Sequence, residues 1–201
     1  MKRLLPKALM LALVAMLSLS PVMAQKNQPD VFKIGFLSSL TGSLAGLAEG
    51  QRKSFLLSVE QVNAAGGLKM PWGNVKVETF IADDEAKLDV GVRRFREMLD
   101  KGAVAVTGGI WNPMSGALNE ETKINPVIYL PGFVPAKDAL LKGNPADAMY
   151  TPTFTPWSIG YITGKSIVKT LGKKTLFYVE RADSWGTTIR EGLEAACKDF
   201  G

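Results

Sequence analysis

The chain has 201 residues, with 24 Lys and Arg against 19 Asp and Glu, no histidine and one cysteine. Lacking histidine, it is without the commonest general base and the commonest metal ligand, and a single cysteine supplies neither an internal disulfide nor a zinc spacing. Past the first seven residues no Lys/Arg run exceeds two and basic residues alternate with acids, a pattern that excludes nucleic acid as a partner.

The N-terminus, Met1-Lys2-Arg3-Leu4-Leu5-Pro6-Lys7, is basic, and residues 8–19 are apolar but for Ser18. That run falls short of the roughly 20 apolar residues that span a bilayer. Val22 and Ala24 give the small-x-small pattern read before a cut, so residues 1–24 are expected to be a signal peptide, with polar Gln25-Lys26-Asn27-Gln28 opening an exported, periplasmic protein. Removing Lys2, Arg3 and Lys7 with no acid lowers the formal charge from +5 to +2.

Residues 31–37 are an apolar segment between Pro29 and a Gly/Ser-rich stretch, which predicts a buried strand running into a loop. From Gln51 the period becomes helical through Phe55, Leu56, Val59 and Val62, and Gly66-Gly67 stops the helix. The unit repeats: residues 75–81 alternate as a strand, and residues 86–101 carry Val92, Phe95, Met98 and Leu99 on one helical face. Residues 103–106 predict a third strand. Asn112-Pro113 then predicts an N-cap with proline at the first helical position. A fourth strand is expected at 127–130, a helix after Pro156 with a stop at Gly172, a strand at 175–179 and a last helix from about 185 to 199. Cys197 falls beside the apolar positions of that helix, where a small buried hydrophobe is expected. Alternating strands and helices specify an α/β fold, a Rossmann-like parallel sheet, with ligand-binding loops after the strands. Ending where a further strand is expected, the chain reads as a fragment or a truncated gene product, poorly stable by itself.

Ile34-Gly35-Phe36-Leu37-Ser38-Ser39-Leu40-Thr41-Gly42, Val59-Glu60-Gln61-Val62-Asn63-Ala64-Ala65-Gly66-Gly67-Leu68, Asp83-Asp84 and Tyr178-Val179-Glu180-Arg181-Ala182-Asp183-Ser184-Trp185-Gly186 stand in order along the chain. Together they resemble the branched-chain (leucine/isoleucine/valine) amino-acid binding protein family of type I periplasmic receptors, from about Phe32 onward. The resemblance implies two Rossmann-like lobes closing on a small solute. Lobe one would be residues 25–150, and residues 151–201 would be a hinge crossing at 151–156 and an incomplete start of lobe two.

The family holds a ligand carboxylate with hydroxyls and backbone N–H groups of the loop before the third helix and the loop after the fourth strand. By spacing, the family's binding serine falls on Trp111, and Val134 stands where the family has a threonine. Leu47 takes the place of a common aromatic, and Trp185 that of the usual tyrosine. The implied ligand-binding set is Leu47, Trp111, Asn112, Gly132, Phe133, Val134 and Trp185. Its loss of two hydroxyls favours an apolar or aromatic carboxylate. A core or lobe-interface position for Trp111 and a helix-capping role for Asn112 stand beside these readings. Asp83-Asp84 reads as loop and cap chemistry rather than catalysis, and residues 42–50 lack a phosphate-loop ending. The implied function is a non-catalytic, cofactor-free and metal-free receptor of an ABC importer, monomeric, with an amino acid or organic acid and a membrane permease as partners. The alternative is a sensing module of the same fold.

Overall fold

The computed structural model describes residues 28–132, 150 and 154–201. The expected signal peptide (1–24), Phe133, Val134 and the first half of the expected crossing, residues 151–153, lie outside the described residues. Residues from Val31 onward form one compact unit.

Three parallel pairings build the sheet: β1 (Val31–Ser38) lies between β3 (Gly73–Asp83) and β4 (Ala105–Gly108), and β4 pairs with β5 (Ile128–Pro131). A short β2 (Leu68–Met70) adds an antiparallel edge to β3, giving the order β2-β3-β1-β4-β5. The α/β expectation is met. β2 was not foreseen, because three residues are too few to show a period.

The crossover from β1 to β3 is α1 (Ala45–Ala64), and α2 (Leu88–Asp100) leads from β3 across to β4. One crossover passes to each side of β1, so the strand order reverses between β1 and β4. α3 (Asn112–Ile124) joins β4 to β5. Beneath these helices Leu37, Phe95, Met98, Val106, Met114, Leu118 and Tyr129 form the core, with the Phe95 and Tyr129 rings edge-on at 6.1 Å. The predicted face of α2 is the observed one: Phe95 and Met98 are buried, while Val92 and Leu99 pack on the rim. Burying a ring such as Phe95 contributes about 1.5–3 kcal/mol.

The chain continues as α4 (Pro156–Lys165), a π-helical turn (Ser166–Thr170) and α5 (Ser184–Phe200). α4 opens with a capping box, in which the Thr155 hydroxyl accepts from the Ser158 N–H and the Ser158 hydroxyl accepts from the Thr155 N–H. α4 and α5 approach at glycines. A Cβ on Gly160 would stand 2.0 Å from the Ile189 carbonyl oxygen, and one on Gly192 would stand 2.2 Å from that of Trp157.

Four expectations are corrected. Residues 175–179 are not a strand: they pair with no described strand, and Phe177 and Val179 are 90% and 81% exposed. β-propensity becomes a strand only when a neighbour supplies the ladder. α1 begins six residues before Gln51, so much of the expected loop is helix, continued from a 3₁₀ turn at Gly42–Leu44. At α3 the N-cap is Trp111 rather than Asn112, a shift of one residue. Cys197 is only half-buried.

Candidate functional site: a cleft at the strand-order reversal

The strand-order reversal between β1 and β4 leaves a crevice where the connections leave the sheet to opposite sides, and open α/β sheets bind ligands there. The loop after β1 is held by carboxylates from the end of β3. Asp83 accepts hydrogen bonds from the Leu40 N–H (2.8 Å), the Thr41 hydroxyl (2.7 Å) and the Glu85 N–H (2.8 Å). Asp84 accepts from the Ser39 hydroxyl (2.5 Å) and the Ala86 N–H (2.8 Å). Burial opposes ionisation of Asp83, but these donors outweigh it and hold the carboxyl below its usual range. At fully buried Asp84, burial dominates and pushes the carboxyl up; the Ser39 and Ala86 donors only partly offset this, and the charge on Asp83 adds to it. Both residues are loop supports, as expected.

After β4 the chain turns through Gly108 (φ 106°) and Gly109 (φ 89°), left-handed conformations natural to glycine, into Ile110, Trp111 and α3. The Trp111 side chain makes no capping hydrogen bond. The first N–H groups of α3 therefore have no side-chain acceptor from the N-cap, and the positive end of the helix dipole lies at the crevice. Asn112 is 2% exposed, and its Nδ2 finds no hydrogen-bond partner among the described residues.

A cleft of about 200 Å³ is lined by Leu44, Leu47, Ile110, Asn112, Arg181 and Trp185. The first four come from the β1 and β4 ends of the sheet. The last two come from the segment that opens α5, where Asp183 is the N-cap and accepts from the Trp185 and Gly186 N–H groups. Asp183 also pairs with Arg181, whose Nε donates to Oδ2 at 2.9 Å. Burial opposes ionisation of Asp183, yet Arg181 and the two N–H groups hold the carboxyl below its usual range. Gly186 packs on the Arg181 backbone so closely that a Cβ there would stand 2.2 Å from the Arg181 carbonyl oxygen.

Of the seven expected ligand-binding residues, Leu47, Asn112 and Trp185 meet in this cleft. Trp111 is half-buried against the hydrophobic core beside them. Gly132 lies in a separate depression of about 430 Å³ with Phe36, Gln51, Phe55 and Gly108, and its N–H donates to the Gly108 carbonyl at 2.6 Å. Phe133 and Val134 lie outside the described residues. Sequence reasoning missed Leu44, Ile110 and Arg181. The signal for Arg181 was a basic residue two positions before an Asp N-cap in a loop already singled out.

A family model described as periplasmic binding protein matches residues 31–201. This chain belongs to the periplasmic binding protein family. Its fold is shared by the branched-chain amino acid transporter substrate binding protein LivJ from Streptococcus pneumoniae in complex with isoleucine, at 23% identity and a TM-score of 0.72, covering 84% of this chain and 47% of that one. It is shared too by a periplasmic binding protein type 1 from Bordetella pertussis Tohama I, at 24% identity and a TM-score of 0.76, covering 85% and 46%. An ABC-transporter solute binding protein from Rhodopseudomonas palustris BisB5 in complex with 3,4-dihydroxy benzoic acid matches at 17% identity and a TM-score of 0.71, covering 86% and 45%. The chain thus spans less than half the length of these structures. No curated protein matches the chain. The family is one of extracytoplasmic solute-binding proteins, and no described helix is long and apolar enough to cross a membrane.

Proposed function

We propose that this periplasmic binding protein serves an ABC importer as its solute receptor, capturing a small organic carboxylate between two lobes and presenting it to a membrane permease. Lobe one is residues 25–150, the hinge crossing and the start of lobe two are residues 151–201, and the signal peptide is residues 1–24. The observation that carries the reading is the cleft at the strand-order reversal, which has the uncapped N-terminus of α3 on one side and Trp185 on the other. Backbone N–H groups at a helix N-terminus take up an anion whatever side chains surround them. Leu44, Leu47, Ile110 and Trp185 supply apolar wall for the rest of the solute, the common composition of a small-molecule pocket. Isoleucine and 3,4-dihydroxybenzoate, the ligands of two structures of the same fold, are both carboxylates. Nothing in the proposal calls for catalysis, and Asp83 and Asp84 are occupied in holding a loop.

Isothermal titration of the exported protein with leucine, benzoate and 4-methylpentanoate tests the reading. Saturable one-to-one binding of at least one carboxylate is expected, with Trp185 fluorescence changing alongside. Flat titrations with all three would sink it.

A further inference from the structure

We propose that the lysine-rich end of the α4–α5 pair is a docking surface for an anionic phospholipid bilayer, separate from solute capture and independent of the receptor reading. The alternation of basic and acidic residues lapses over residues 148–179, which hold Lys165, Lys169, Lys173 and Lys174 and no acid. Their four positive charges compare with a formal +2 for the whole of residues 25–201, so the remainder is slightly acidic. All four lysines are exposed.

The fold gathers them at one helix end. Lys165 closes α4 and Lys169 lies in the π-helical turn, and their ammonium nitrogens stand 5.5 and 5.6 Å from the centroid of the same ring, Phe200 at the end of α5. A ring face attracts a cation but does not cancel its charge. The Lys173 N–H donates to the Ile167 carbonyl at 3.1 Å, which keeps Lys173 and Lys174 at that end. The acid beside Phe200, Asp199, accepts from the Tyr161 hydroxyl at 2.7 Å, and none of the four lysines forms an ion pair with a described residue. The arginines of the same part of the chain are paired: Arg181 with Asp183, and Arg190 with Glu180 and Glu194. Among the lysines Ile162 and Leu171 are 63% and 62% exposed.

Ammonium groups on flexible stems suit a diffuse array of phosphates, whereas a fixed carboxylate partner favours the planar fork of arginine. Four lysines beside exposed apolar side chains have the composition of a surface that binds anionic lipid reversibly. Phe200 and the cleft residue Trp185 lie at opposite ends of the 17-residue α5, roughly 25 Å apart. Docking through the lysines therefore leaves the cleft clear.

Cosedimentation of the exported protein with vesicles tests the proposal. At low ionic strength, binding to mixed phosphatidylcholine–phosphatidylglycerol vesicles is expected to exceed binding to phosphatidylcholine alone by about tenfold or more, and to disappear in high salt. Each lysine contributes roughly fivefold, so Lys165→Gln with Lys169→Gln is expected to weaken binding about twentyfold. Lys53→Gln with Lys69→Gln makes the same change in net charge at exposed lysines of α1 and β2, and is expected to weaken it less than about threefold. Equal binding to the two vesicle types, binding to neither, or equal loss in the two double variants overturns the proposal. Capture of soluble polyglutamate without capture of the mixed vesicles would assign the lysines to an acidic protein partner and overturn it too.

Discussion

Two carboxylates one residue apart are driven in opposite directions by their surroundings. Asp83 collects three donors and is held below its usual range, whereas Asp84 is buried and pushed above it. For Asp84 the folded value exceeds the unfolded one, so the folded state binds more protons in the interval between them. Its contribution is greatest in acid and declines as pH rises from about 4, the unfolded value, through the raised folded value. Asp83 acts in the opposite sense, losing its contribution as pH falls through its depressed value. Urea melts of the protein and of Asp84→Asn between pH 4 and 7 separate the two: the stability of the unaltered chain relative to the variant is expected to fall with rising pH. A difference that rises with pH would refute this assignment. Gly108 is the second sensitive position. Its φ of 106° and a Cβ that would stand 2.6 Å from the Leu37 carbonyl oxygen leave no room for alanine. Gly108→Ala is expected to cost about 1–3 kcal/mol or more in the same melts, and a change below a few tenths would show that the turn relaxes freely.

Among the elements, α4 and α5 meet both through side chains, such as Tyr161 against Phe200 and Asp199, and through a close backbone approach. Their contact passes through Gly160 and Gly192, and adding a methyl at either would press on a carbonyl of the facing helix. Gly192→Ala is therefore expected to destabilise the chain by about 1–3 kcal/mol through overpacking. Thr155→Ala removes the capping hydroxyl from α4 and is expected to cost about 1 kcal/mol, measured as a shift in thermal midpoint with retained helical circular dichroism. The order of these two effects is itself informative. If Thr155→Ala proved the more damaging, the helix pair would be held by local capping rather than by close packing.

For the molecule as a whole, the decisive expectation is export. Cleavage after Ala24 would remove Lys2, Arg3 and Lys7 and leave residues 25–201 with a formal charge of +2. Mass spectrometry of the periplasmic fraction is expected to find Gln25 at the N-terminus. Recovery of a chain still carrying residues 1–24 in the membrane fraction would contradict the signal-peptide proposal.

The sequence alone determined the alternation of strands and helices as far as β5 and the buried face of α2. Each is written as a local period or a glycine stop, and local periods survive without knowledge of neighbours. It placed Leu47, Asn112 and Trp185 in a site by resemblance, and the fold gathers those three in one cleft. Only the tertiary structure decided what depends on partners distant in the chain. Residues 175–179 have strand composition but no described ladder, Trp111 turns to the core, and Gly132 opens on a different depression. Arg181 became a candidate only when the segment opening α5 was seen facing α3, nearly seventy positions away along the sequence. No period or motif encodes that approach, because it arises from how the helix carrying Trp185 meets the end of a sheet folded from another part of the chain.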